Sequence, residues 1–267
     1  MKSIIDIHGH LGNINFAPFW QADGDRLVEY LEKSGIDKLC LSASRSIMYD
    51  VHEGNMELAA LLKKDGGKHF YGYVVVSPTF PESLNDLSLL EEIPAFRGVK
   101  IHPDYHGYDL SVPSNYRFVL NVAKKVKTML FHVSCMPGTG FSKGETVVSI
   151  ARECPNANIV LAHAAGLYQN GSYPFFPNLD SLERLCDAGL PSNVWIDTAH
   201  YLLYAYQGVL DKMVRLAGAE HVAFGTDSPL QGPLQMRFAV DAVNALDIPE
   251  AQKQLILHGN AEKVLRL

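Results

Sequence analysis

The stretch Ile5-Asp6-Ile7-His8-Gly9-His10 sets a carboxylate and two imidazoles on alternate positions of an apolar run. In an extended strand, residues two apart point the same way. Asp6, His8 and His10 are therefore expected on one face, with Ile5 and Ile7 on the other. Burying three such groups is costly unless something pairs with them, and a metal ion or water would. Comparable residues recur where other apolar runs end: Lys100 and His102 in "FRGVKIH", His132 in "TMLFHVS", His163 in "NIVLAHA", Asp197 in "NVWIDTA" with His200 just beyond, and Asp227 in "HVAFGTDS". Six of the eleven histidines fall in such places, a bias that random scatter does not produce. Imidazole nitrogen together with carboxylate oxygen suits Zn²⁺ and its neighbours. An ion with one open position lowers the pKa of its bound water to roughly 7 and so supplies hydroxide at neutral pH.

Chemistry of this kind needs elements that bring distant runs to one place. Eight short runs rich in Val, Ile, Leu and Phe begin near residues 3, 38, 70, 96, 128, 158, 193 and 221, and amphipathic stretches separate them. Runs of this composition read as strands buried on both faces. "DRLVEYLEKSG" is one of the helical stretches, with Gly35 as its C-cap. The last stretch, "PEAQKQLILHGNAEKVLRL", reads as a closing C-terminal helix pair. Eight strand–helix units over residues 1–267 predict an α/β fold, a single and slightly distorted (β/α)₈ TIM barrel. The doubly wound alternative lacks its glycine fingerprint after the first run, where "HGHLGNINF" stands. In a barrel, strand C-terminal ends form one catalytic rim. Closure sets the eighth strand beside the first, so Asp227 comes near His8 and His10, and His132 approaches from the opposite side.

Composition bounds the partners. The chain has 267 residues, 47% hydrophobic and 19% charged, with a formal net charge of -6. That balance supports a large core and argues against a nucleic-acid surface, which needs a basic face. No apolar run reaches the roughly 18 residues a membrane span needs, and "MKSIIDIHGH" is not a signal peptide. Cys40, Cys135, Cys154 and Cys186 are widely spaced and form no CxxC pair, so free thiols in a cytoplasmic protein are expected.

With "DIHGH" in the first run, "LFHVS" in the fifth, "VLAHAAG" in the sixth, "GTDSPL" in the eighth and "ILHGNAEKVL" at the end, the chain resembles the amidohydrolase superfamily along essentially its whole length. The branch it resembles most is the amidohydrolase-related group (amidohydrolase 2) of metal-dependent hydrolases, lactonases and non-oxidative decarboxylases. The resemblance implies that His8, His10, His132 and Asp227 bind one divalent ion, with Zn²⁺ the first expectation, Mn²⁺ or Fe²⁺ alternatives, and a second ion left open. It also implies that Asp227 takes a proton from bound water and that His163 binds a second metal or acts on the substrate. Two-metal members often use a carboxylated lysine on the fourth strand. Lys100 occupies that place, although a lysine takes up carbon dioxide only when its amine is neutral. An unmodified Lys100 paired with Asp6 or a neighbouring acid is the simpler expectation. Dimers are common in such families, so a homodimer is the assembly the resemblance suggests.

The activity expected first is hydrolysis of a small amide, lactone or ester, with Asp227 and His163 as catalytic residues. The alternative is non-oxidative decarboxylation of an aromatic or enoic acid on the same ligands. Lys100, His102, His200, Arg45 and Tyr105 are candidates for substrate contact or for supporting the ligands. Loops carrying Phe16, Phe19, Trp20, Tyr168, Tyr173, Phe175 and Phe176, together with "PDYHGYDL", suggest a ring-shaped or apolar substrate.

Overall fold

Each of the eight apolar runs forms a strand in the computed structural model, which describes residues 3–13, 22–134, 140–166, 179–199, 208–230 and 232–267. The strands are β1 (Ile5–Leu11), β2 (Lys38–Ala43), β3 (Phe70–Val75), β4 (Phe96–Ile101), β5 (Thr128–Phe131), β6 (Asn158–Leu161), β7 (Val194–Asp197) and β8 (Val222–Ala223). They pair in parallel, in sequence order, as one curled eight-stranded sheet with helices around it. β8 has only two residues, and the segment after it makes much of the bonding to β1. Ile7 N donates to Phe224 O (2.9 Å), Asp227 N to His8 O (2.8 Å) and His10 N to Ser228 O (2.7 Å). These bonds close the seam of the expected barrel.

Strand alternation sorts the apolar side chains into two layers. Ile5, Ile7, Cys40, Tyr73, Leu130 and Val160 pack together inside the sheet. Leu39, Leu41, Val74, Met129, Ile159 and Ile196 face outward and join the larger cluster shared with the helices. Asp6 pairs with Leu39 but Gly9 pairs with Leu41, so three steps along β1 match two along β2. The extra residue is a β-bulge, and it breaks the strict alternation expected of this strand. Ile7 lines the interior, and after the bulge so do His8 and His10. Asp6 leaves that face: its carboxylate accepts from the Thr226 hydroxyl, Thr226 N (3.1 Å) and His8 N (2.9 Å).

The helix Gly24–Ser34 ends as expected on Gly35, whose left-handed φ of 77° lets its N–H reach Leu31 O. The helix Val51–Asp65 holds β3 through Asn55, which is fully buried. The Asn55 amide donates to Val75 O (2.9 Å) and Asp86 Oδ2 (2.8 Å), and its carbonyl accepts from Val75 N (2.9 Å). Asn55→Ala removes these three bonds, and the one its carbonyl accepts from Ser46 Oγ (3.3 Å), in the interior and is expected to cost about 3 kcal/mol. Urea titration would show this as a lower midpoint with an unchanged slope.

The closing helix pair is Glu250–Gln254 and Asn260–Leu265, joined by a π-helical turn at Leu255–Gly259 rather than by a loop. Within that turn Ile256 O accepts from Phe224 N (3.1 Å), while Ala261, Val264 and Leu265 pack under the interior cluster. Cys40, Cys154 and Cys186 are free thiols, and Cys135 lies outside the described residues. Among the described residues no helix is long and apolar enough to cross a membrane.

Candidate active site

His8, His10 and Asp227 meet at the mouth of the barrel, all three buried, with one ligand-type atom of each within 4.8 Å of the others. His10 Nε2 lies 2.8 Å and His8 Nε2 3.2 Å from the same oxygen, Asp227 Oδ1. The opposite ring nitrogens have other partners. His8 Nδ1 contacts Asp197 Oδ2 (2.7 Å), and His10 Nδ1 contacts Ser42 Oγ (3.2 Å). A carboxylate on Nδ1 holds the proton there and turns the Nε2 lone pair toward the shared point, which is how metal-binding histidines are usually oriented. Burial, and then the Lys100 ammonium, push His8 down to about 4, so at neutral pH it is in the uncharged form that ligates. The donor set of two imidazoles and one carboxylate fits a divalent cation of the zinc or manganese type.

The backbone is bent to make this meeting. Asp227 has φ 58°, a left-handed conformation uncommon outside glycine, and its N–H bond to His8 O holds it. His163, Ala164 and Ala165 follow one another with φ of 58°, 46° and 63°. β6 therefore ends at Leu161, and the chain turns sharply to carry His163 inward. Asp197 Oδ1 accepts from His163 N (2.8 Å) and Ala199 N (3.1 Å), so one buried carboxylate supports both His8 and His163. Gly225 allows this approach: a Cβ there would stand 3.1 Å from His8 Cβ and 3.3 Å from Asp197 Cβ.

The remaining candidates divide. Lys100 is fully buried, with Nζ 2.9 Å from His8 Nε2. The ring of His163 lies 5.4 Å from that of His8, and its Nε2 is 3.1 Å from His132 Nδ1. His132, expected as a fourth ligand, is not in the three-residue group: its Nε2 faces Asp104 Oδ2 at 3.0 Å. His102 is buried and stacks on His132 (3.9 Å between ring centres) and on the half-exposed Tyr105 (4.6 Å). Arg45 is half-exposed and pairs with Glu53 at 3.5 Å, and the structure does not bring it into this cluster. His200 and the aromatic loop residues Phe16, Phe19, Trp20, Tyr168, Tyr173, Phe175 and Phe176 lie outside the described residues. Asp6, read from the sequence as sharing the face of His8, stands beside Thr226 instead, its carboxyl raised to about 7 by burial. Asp104 and Ser42 were not legible as site residues, since one sits in a loop noticed for its aromatics and the other inside an apolar strand.

The family model described as "Amidohydrolase" matches residues 48–267. The chain belongs to the amidohydrolase family. That match starts after His8 and His10, so the assignment of the β1 residues rests on the geometry above and on the resemblance of "DIHGH". No curated protein matches the chain in sequence. Solved structures resemble it over their whole length. A 2,6-dihydroxybenzoate decarboxylase complexed with 2,6-dihydroxybenzoate superposes with a TM-score of 0.73 at 17% identity, covering 100% of both chains. A 5-carboxyvanillate decarboxylase from Novosphingobium aromaticivorans, complexed with manganese and 4-hydroxy-3-methoxy-5-nitrobenzoic acid, gives 0.70 at 18%, covering 99% of this chain and 96% of that one. A protein described as amidohydrolase II gives 0.69 at 17%, covering 99% and 100%. At these identities the likeness establishes the barrel fold that the family shares.

Proposed function

We propose that this chain is a metal-dependent non-oxidative decarboxylase of an aromatic or enoic carboxylic acid. The observation that carries the reading is the convergence of His8, His10 and Asp227 beside the buried Lys100 side chain. It is supported by full-length likeness to decarboxylases of hydroxylated benzoates, one of them holding manganese. His8, His10 and Asp227 would hold one divalent ion, Mn²⁺ or Zn²⁺. When bound, that ion supplies Lewis-acid attraction for a substrate carboxylate and an adjacent oxygen.

The chain's own groups do the rest. Lys100, when protonated, would add a second positive centre beside these ligands, in a dry setting that strengthens attraction for a substrate carboxylate. The stacked rings of His102 and Tyr105 offer an apolar wall to a flat substrate. In the reaction the bond from the ring carbon to the carboxyl carbon breaks, its electron pair stays on the ring carbon, carbon dioxide leaves and a proton takes its place. His163, beside His8, is the group proposed to carry that proton, with Asp227 as its acidic counterpart.

Hydrolysis of an amide, lactone or ester is the second reading. It is favoured by the family match itself and by a carboxylate, Asp227, placed where it could accept a proton from water. One assay separates the two. The zinc- or manganese-loaded chain is offered hydroxybenzoates and lactones in parallel, with carbon dioxide release and acid release recorded. Release of carbon dioxide from a hydroxybenzoate, with exchange of solvent deuterium into the product ring, is the expected result. Turnover confined to the lactones would overturn the decarboxylase reading.

A further inference from the structure

Asp6 takes no part in the chemistry proposed above, yet its carboxylate is bonded to the main chain that carries the three candidate ligands. It is fully buried at the bulge of β1. Its Oδ1 accepts from His8 N (2.9 Å) and from Thr226 N (3.1 Å), one on each side of the barrel seam. Its Oδ2 accepts from the Thr226 hydroxyl. A hydroxyl has one proton and two lone pairs. With its proton given to Asp6, Thr226 Oγ1 turns a lone pair to Ser228 N at 3.2 Å. Ser228 O in turn accepts from His10 N at 2.7 Å.

Thr226 and Ser228 are the two chain neighbours of Asp227, whose φ of 58° costs free energy and persists only where the surroundings hold it. Both neighbours are anchored to Asp6, one directly and the other through a single hydroxyl. The anchorage acts on the backbone and leaves the Asp227 carboxylate itself untouched. We propose that Asp6 is a positioning residue: together with Thr226 it clamps the arm on either side of Asp227 to the bulge of β1, and so sets the separation of Asp227 from His8 and His10 before any ion arrives. This role presupposes the ligand set proposed above and is independent of which bond the enzyme breaks.

Thr226→Val keeps the branched shape of the side chain and removes the hydroxyl. It is expected to fold and to bind Co²⁺ roughly 10–100-fold more weakly than the parent chain, read by competition with a chelating dye, with an altered visible spectrum of the bound cobalt. Thr226→Ser, which restores the hydroxyl, should recover most of that affinity. Thr128→Val is the matched control: Thr128 is also buried, and its hydroxyl donates to Val264 O (2.6 Å) under the barrel. It should lower the urea midpoint and leave cobalt affinity at the parent value. Hydrogen exchange of the metal-free parent chain needs no variant: the amides of His8, Thr226 and Ser228 should exchange slowly, as those of Met129 and Leu130 in β5 do. Parent-like cobalt affinity in folded Thr226→Val, an equal loss of affinity in Thr128→Val, or fast exchange at Ser228 in the metal-free chain would each overturn the clamp. A parent chain that takes up no cobalt would instead refute the ligand set itself, and the clamp with it.

Discussion

Asp227→Asn is expected to lower kcat/KM by at least about 1,000-fold, a loss of about 4 kcal/mol of transition-state stabilisation, while the fold survives. Asparagine is the informative choice because the position is left-handed, with φ 58°. Asn and Asp tolerate that conformation far better than alanine, so the backbone strain is nearly unchanged. What changes is charge: the oxygen shared by His8 Nε2 and His10 Nε2 loses its anionic character. An amide binds a divalent ion weakly and cannot carry a proton as a carboxyl group can. Circular dichroism close to that of the parent chain, metal content near zero and absent turnover form the expected result. His8→Ala should behave the same way. Full activity in a folded Asp227→Asn protein would remove Asp227 from the proposed ligand set.

Asp197→Asn should come close to this effect without touching the ion. Asp197 is fully buried, and its two oxygens serve His8 Nδ1 on one side and the backbone amides of His163 and Ala199 on the other. An asparagine oxygen can still accept from the two backbone amides. Its NH₂ then faces His8 Nδ1 and asks that nitrogen to accept. His8 would move its proton to Nε2, the nitrogen aimed at Asp227, and so lose the lone pair that a cation needs. Zinc or manganese affinity is expected to fall by about 100-fold, measured by competition with a chelating dye. Asp197→Ala is a harsher change. It strands three buried partners and is expected to destabilise the fold by about 3–5 kcal/mol as well. Parent-like metal affinity in the Asn variant would show that His8 does not depend on Asp197 for its orientation.

The eight strands could be read from the sequence because strands buried on both faces are apolar runs, and seven of the eight are at least four residues long. The exception, β8, shows what such a run does not reveal. "HVAFGTDS" looks like one strand, yet most of it bonds across the seam as an irregular segment while Asp227 turns left-handed. The pairing of His8 and His10 with Asp227 followed from closure of the barrel alone. Asp6 was misplaced because period-2 reasoning assumes an uninterrupted ladder. A bulge depends on the register of β2, which no local pattern in β1 records. Asp104 escaped for a related reason: its partner is an imidazole 28 positions away, just past the end of the next strand. Residues that act at a strand end are visible as types, whereas residues that act through another side chain become visible only in three dimensions.

The π-helical turn near the C-terminus ties the tail of the chain to the chemistry. The main chain of Phe224 is engaged on both sides, its carbonyl by Ile7 and its amide by Ile256, three residues before Asp227. The last helical stretch is thus a keystone rather than a lid under the barrel. Any change that lets it swing away loosens the hinge of the arm from which Asp227 hangs, and damage at the far end would be felt first at the reacting end.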